Sequence, residues 1–138
     1  MKKKVLFLCT NNSARSQMAE GLLRSLYGDS YESYSAGVHP TKVHPFAEEV
    51  MKEIGINISK QFSKSIKKFI NKKFDCVVTV CDKAQESCPF FPGARKIMHK
   101  SFQDPAQFHG SKEEVLNAFR SVRDEISSWI KDEFKETD

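Results

Sequence analysis

Apolar and polar positions alternate between two periods along this chain. Lys4-Val5-Leu6-Phe7-Leu8 is a nearly continuous apolar run, as in a strand buried on both faces. A polar stretch follows from Cys9 to Ala14. From Ser16 to Tyr27 the apolar residues Met18, Ala19, Leu22, Leu23 and Leu26 take helical spacing, and Gly28 is the expected stop. Tyr31 to Ser35 predicts a second strand, closed by Ala36-Gly37. Pro45 opens a second helix containing Phe46, Ala47, Val50, Met51 and Ile54, ended by Gly55. A shorter helix is expected over Ser65 to Asn71. Cys76-Val77-Val78-Thr79-Val80 predicts a third buried strand and Lys96 to His99 a weak fourth. Ser111 or Lys112 opens a long last helix, with Val115, Phe119, Val122, Ile126, Trp129 and Ile130 as its core-facing stripe.

Strands that alternate with helices predict a parallel sheet covered on both faces. In such sheets ligands bind beyond the carboxyl ends of the strands. Three segments fall there: Cys9 to Arg15, Cys81 to Cys88, and the loop carrying Asp104. With 138 residues the chain suits one domain, 1–138, with enough length for a real core. No repeat or linker divides it. No apolar stretch is long enough for a transmembrane helix. Met1-Lys2-Lys3-Lys4 has the basic start of a signal peptide but no hydrophobic region or cleavage site after it, so a cytoplasmic location is expected.

Charge adds little. Lys plus Arg is 22 and Asp plus Glu is 18, a net +4, which suits an anionic substrate. The densest basic run, Lys67 to Lys73, reads as a solvated helix face, and no aromatic array accompanies it, so nucleic-acid binding is not expected. The cysteines are more informative. Cys9, Cys76, Cys81 and Cys88 contain no CxxC pair, and His39, His44, His99 and His109 lack zinc-finger spacing. No metal site is expected. Catalytic thiols, redox thiols and plain core residues stay open for the four; Cys76, inside a strand, is assigned to the core.

The loop after the first strand reads Cys9-Thr10-Asn11-Asn12-Ser13-Ala14-Arg15-Ser16, a cysteine and an arginine five residues apart. A loop leaving a strand and entering a helix can aim successive backbone N–H groups inward, and the helix N-terminus adds positive potential. Arg15 can clamp two oxygens of an anion. Cys9 would share that field, which favours a thiolate nucleophile. Ser16 can give its hydroxyl to the sulfur. The same residues could be a buried cysteine and a helix-terminal arginine without chemistry, but their place between strand and helix favours an oxyanion cradle formed by Thr10 through Arg15.

The segment Cys9 to Gly21, with Tyr34-Ser35-Ala36-Gly37 and Asp104-Pro105, resembles the low-molecular-weight protein tyrosine phosphatase superfamily over nearly the whole chain. Within it, Val77-Val78-Thr79-Val80-Cys81, Cys88-Pro89 and the alanine at Ala106 resemble the thioredoxin-coupled arsenate reductases. Arg120 to Ile126 also resembles their last helix. The resemblance implies a four-stranded parallel sheet of order 2-1-3-4. It implies that Cys9 attacks arsenate and that Asp104 manages a proton. Cys81 and then Cys88 would carry a disulfide away to thioredoxin, with no bound cofactor and phosphate or sulfate as competing oxyanions. A monomer is expected.

Two other functions stay open. A phosphatase would use Cys9, Arg15 and Asp104 without the other thiols, and a redox sensor would bind phosphate without turnover. Asn12, Glu20 and Ser35 match positions that support the loop in relatives. Some relatives bind potassium through an acidic residue where this chain has Lys64. No potassium is expected here; the Lys64 ammonium either takes that place beside Glu20 or lies on the surface. The chain departs from the reductases in three further places: Asn11 where many have glycine, Ala14 where many have cysteine, and His99-Lys100-Ser101-Phe102 before the acid.

Overall fold

The computed structural model describes residues 2–82 and 91–134. Cys88 lies outside the described residues. Four strands, β1 (Lys3–Cys9), β2 (Tyr31–Gly37), β3 (Cys76–Thr79) and β4 (Ile97–His99), form one sheet. Its order is β2-β1-β3-β4 and every pairing is parallel, as expected. Among the described residues the α-helices bounded at both ends are α1 (Arg15–Tyr27), α2 (Pro45–Glu53) and α3 (Lys112–Glu133).

β1 is central because its residues can be dry on both sides. Val5 through Cys9 are all buried, and Leu6, Phe7 and Leu8 are wholly so. Burying Phe7 alone is worth about 2–3 kcal/mol relative to exposure. Parallel register puts Val5 opposite Ser33 and Phe7 opposite Ser35, on one face. That face meets α1, where Ser33 Oγ donates to the Glu20 carbonyl, and the end of α3, where Phe134 packs edge-on against Phe7. Leu6 and Tyr34 share the other face. There Tyr34, Phe69, Phe74 and Phe91 form an aromatic cluster.

Two elements differ from their sequence pattern. The helix expected over Ser65 to Asn71 is one 3-10 turn, Ile66–Lys68, capped by Ser65. Only Ile66, Phe69 and a half-buried Ile70 have apolar contacts, too few to support a longer helix. In α3 the inward stripe includes Leu116 and Arg123, while Val115 and Trp129 are half-buried. Arg123 is tolerated there because its guanidinium donates to the Val50 carbonyl and to Glu53, tying α3 to the end of α2. Ser111 and Glu114 close a reciprocal capping box at the start of α3. Gly55 ends the turn after α2 at φ +79°, its N–H donating to Lys52 and that of Ile56 to Met51.

Candidate active site

The turn from β1 into α1 wraps around an inward-facing concavity. Its floor is Cys9, the last residue of β1 and 2% exposed. Ala14 is the N-cap of α1, and its methyl side chain takes none of the first N–H groups of the helix. A cavity of about 220 Å³ is lined by Cys9, Ser13, Arg15, Thr41, Asp104 and Ala106, among others. Of the residues expected to cradle an anion, Asn11, Ser13, Ala14 and Arg15 line this cavity with Cys9, while Thr10 lines the adjoining one and Asn12 is wholly buried.

The loop keeps its shape through buried polar contacts. Asn12 is wholly buried and sits at φ +50°, a left-handed conformation that asparagine accepts more readily than most residues. Its Oδ1 accepts from the Lys64 N–H at 2.9 Å and from Gln17 Nε2 at 2.9 Å. Its Nδ2 donates to Ser16 Oγ at 2.8 Å. Ser16 Oγ also lies 2.9 Å from Cys9 Sγ. At that distance the serine hydroxyl is within reach to give its hydrogen to the sulfur.

Gly37, at the end of β2, backs this loop. A Cβ there would stand 2.8 Å from both the Asn12 nitrogen and the Thr10 oxygen, so only glycine allows the approach. Beyond Gly37 the chain hydrogen-bonds along the outside of the loop: His39 N–H to Thr10, Thr41 N–H to Asn11, and His44 N–H to Ser13. Ser35 Oγ donates to Glu20 Oε1 at 2.5 Å. Lys64 Nζ lies 3.6 Å from the same carboxylate oxygen, with its side chain 9% exposed. Burial pushes the Lys64 ammonium below the usual lysine range, and the Glu20 charge opposes that shift. Of the two placements considered for Lys64, the inward one is found.

Arg15 and Asp104 meet across the mouth. Arg15 Nη1 donates to the Phe102 carbonyl at 3.0 Å, and Nη2 lies 3.5 Å from Asp104 Oδ2. Asp104 also caps the 3-10 turn Pro105–Gln107 through the Ala106 N–H. On the adjoining side Cys81, just past β3, is buried, and its sulfur lies 3.4 Å from Thr10 Oγ1. Thr10, Arg15, Cys81, Phe102 and Asp104 line a second cavity of about 370 Å³, which shares Arg15 and Asp104 with the first. Cys76 is at the other end of β3, and burial pushes its thiol up to about 11. It is a buried core residue, as expected, and a thiol so raised is a poor nucleophile at neutral pH. Among the described residues no group of three or more His, Cys, Asp or Glu could hold a metal ion.

The sequence matches the low molecular weight phosphotyrosine protein phosphatase family over residues 4–137. The chain belongs to this family. Its relatives include proteins named arsenate reductase. One from Bacillus subtilis is 46% identical over 138 residues, covering 99% of each chain. Another, from Halalkalibacterium halodurans, is 48% identical over 130 residues, covering 94% of each. Among solved structures, an arsenate reductase in the phosphate binding state superposes with TM-score 0.82 at 32% identity, covering 96% of this chain and 95% of that one. A low molecular weight protein tyrosine phosphatase from T. tengcongensis gives 0.76 at 29% identity, covering 94% and 95%. The fold expected from the sequence is thus the family's fold.

Some contributors within this family site escaped the sequence reading. Gln17 donates to the Asn12 carbonyl and to the Phe62 carbonyl, and accepts from Gln61, locking the loop to the 61–64 segment. It is one of the three polar residues that open α1, ahead of the first apolar position Met18, and nothing in that pattern marked it out. The Phe102 carbonyl had no side-chain signature at all. No helix among the described residues is long and apolar enough to cross a membrane.

Proposed function

We propose that this protein reduces arsenate to arsenite through Cys9, Cys81 and Cys88, and that thioredoxin restores the thiols. The observation that carries this reading is the second buried thiol at the site: Cys81 Sγ stands 3.4 Å from the side chain of Thr10, the neighbour of Cys9. A phosphatase needs one thiol there. The full-length relatives named arsenate reductase support the choice, as does the similar structure of a thioredoxin-dependent arsenate reductase, at 30% identity and TM-score 0.65.

Arsenate enters the cradle as a tetrahedral oxyanion, held by the loop N–H groups and by Arg15 in place of part of its contact with Asp104. Cys9 thiolate attacks arsenic, and an arsenic oxygen leaves as water with a proton from Asp104. Ser16 stabilises the sulfur. Cys81 thiolate then attacks Cys9 Sγ. The S–S bond forms, the S–As bond breaks, and its electron pair stays on arsenic, which falls from As(V) to As(III). Cys88 thiolate next attacks Cys81 Sγ and releases Cys9 as thiolate, leaving a Cys81–Cys88 disulfide. Two electrons from a thioredoxin dithiol close the cycle, so no bound cofactor takes part. Asn12, Glu20, Ser35 and Lys64 hold the loop, the ammonium standing where relatives use potassium. A reducing cytoplasm suits the thiol cycle, and the monomer is the working unit. The shared cradle also leaves slow hydrolysis of aryl phosphates.

The test is arsenate-dependent NADPH oxidation with thioredoxin and thioredoxin reductase. Wild type should turn over, and Cys88→Ser should stop after one cycle with Cys9–Cys81 trapped. Fast aryl-phosphate hydrolysis without NADPH oxidation, unaffected by Cys88→Ser, would replace this reading with the phosphatase one.

A further inference from the structure

Three side chains beside Cys81 form a hydrogen-bonded chain that the chemistry above leaves unused. Thr79 ends β3, His99 ends β4, and the two are register partners. Thr79 Oγ1 lies 2.8 Å from His99 Nδ1, and His99 Nε2 lies 3.0 Å from Asp82 Oδ1. A carboxylate only accepts, so Nε2 carries a hydrogen. In the neutral ring Nδ1 then accepts from the Thr79 hydroxyl. In the charged ring Nδ1 donates to Thr79, whose hydrogen can turn to the Met98 carbonyl at 3.4 Å. The chain holds in either protonation state.

Its place in the backbone gives it a task. The sheet ladder reaches Val80, whose N–H donates to Leu8 and whose carbonyl accepts from Phe102. Cys81 is the first residue past that ladder. Its sulfur contacts Thr10, and the Asp82 side chain after it is fastened to the end of β4 through His99. Cys81 is thus held between the last rung of the sheet and a side-chain tether. The same run from His99 continues to Phe102, whose carbonyl accepts from Arg15. The tether itself is open to water: the Asp82 side chain is 75% exposed.

We propose that Thr79, His99 and Asp82 brace Cys81 for its attack on Cys9 Sγ, with His99 as the positioning residue. This rests on the arsenate-reductase reading. In the step it serves, the Cys81–Cys9 S–S bond forms, the Cys9 S–As bond breaks, and arsenic keeps the electron pair. The exposed tether can be given up when Cys81 later passes its bond to Cys88.

The experiment uses the full chain carrying Cys88→Ser, mixed with arsenate, and follows the trapped Cys9–Cys81 disulfide in a single turnover. Adding Asp82→Ala, or His99→Asn, which keeps the Thr79 side of the ring and loses the Asp82 side, should slow trapping about three- to five-fold, the upper end for one exposed ion pair. Asp82→Asn keeps an acceptor and should stay near the parent rate. Hydrolysis of an aryl phosphate, which needs no Cys81, should not change in any of them. Unchanged trapping rates overturn the brace. So does an equal loss of hydrolysis, which would mean general damage to the fold. If the Cys88→Ser parent itself traps no disulfide with arsenate, the arsenate-reductase reading fails first, and the brace falls with it.

Discussion

The two rims of the site are built differently. On the α1 side Asn12, Ser16 and Gln17 are wholly buried, and their polar groups bond to one another and to the backbone at 2.8 to 3.1 Å. On the opposite rim the Asp104 side chain is 24% exposed and that of Asp82 75%, and the Cys81 sulfur lies 3.4 Å from Thr10 Oγ1. Buried polar networks are rigid because a broken bond leaves an unpaired group in a dry place. Exposed ion pairs are worth little because water replaces either partner. The difference follows the proposed chemistry. An oxyanion cradle works when its donors are fixed before the charge arrives, while an acid that must release Arg15 and a thiol that must travel need contacts that break cheaply.

The sharpest way to break this contrast is at the residue that joins the rims. Arg15→Lys keeps the charge but cannot clamp two oxygens while reaching the Phe102 carbonyl. Arsenate turnover and aryl-phosphate hydrolysis should both fall about 100-fold, measured as kcat/KM, with thermal stability little changed. A loss confined to one activity would show that the two do not share the cradle.

Asn12→Ala should cost about 2–3 kcal/mol of stability in chemical denaturation, since it unpairs buried groups of Ser16, Gln17 and the Lys64 backbone. Asn12→Gly should recover about 1 kcal/mol of that, because glycine removes the strain of a side chain at positive φ. An Asn12→Ala loss no larger than that of an exposed Asp82→Ala would erase the distinction between the rims.

The smallest effect concerns His44, where the chain leaves the outside of the loop and enters α2. Its Nδ1 accepts the Phe46 N–H as the cap of that helix, and the ring lies tilted against those of Phe46 and Phe119. Burial lowers its proton affinity, with a further push from Lys42 and opposition from Asp104. The folded value therefore lies below the unfolded one, near 6.5. The unfolded chain binds the proton first, so stability is complete above that value and is lost as pH falls through the lowered folded one. Melting at pH 7.5 and 5.5 should show a larger drop for wild type than for His44→Asn, which caps without titrating. The difference is bounded by about 1 kcal/mol, the usual worth of an N-cap. Equal drops would mean that the cap does not titrate.

Much of this was open to reading along the chain because it rests on local rules. The run Val5 to Leu8 is apolar without alternation, so it had to be a strand dry on both faces. The switch from that run to the helical spacing of Met18, Leu22 and Leu26 framed the Cys9–Arg15 turn. Parallel pairing followed from alternation, and the order β2-β1-β3-β4 matched the family resemblance. Tertiary packing decided the rest. Whether Lys64 faced Glu20 or water depended on where the 61–65 segment docks, and Gln17 and Asn12 fix that docking. Leu116 is buried and Trp129 only half-buried because α3 turns the stripe Leu116, Phe119, Arg123, Ile126 and Ile130 toward the core. Gly37 could be seen in a motif, but its reason, a backbone approach to Thr10 and Asn12, exists only in three dimensions. The Thr79–His99–Asp82 chain joins residues 17 and 20 apart in sequence through the β3–β4 register. Periodicity and turn chemistry act between near neighbours and can be read along a chain. Hydrogen bonds across strands and loops depend on distances that appear only when the core closes.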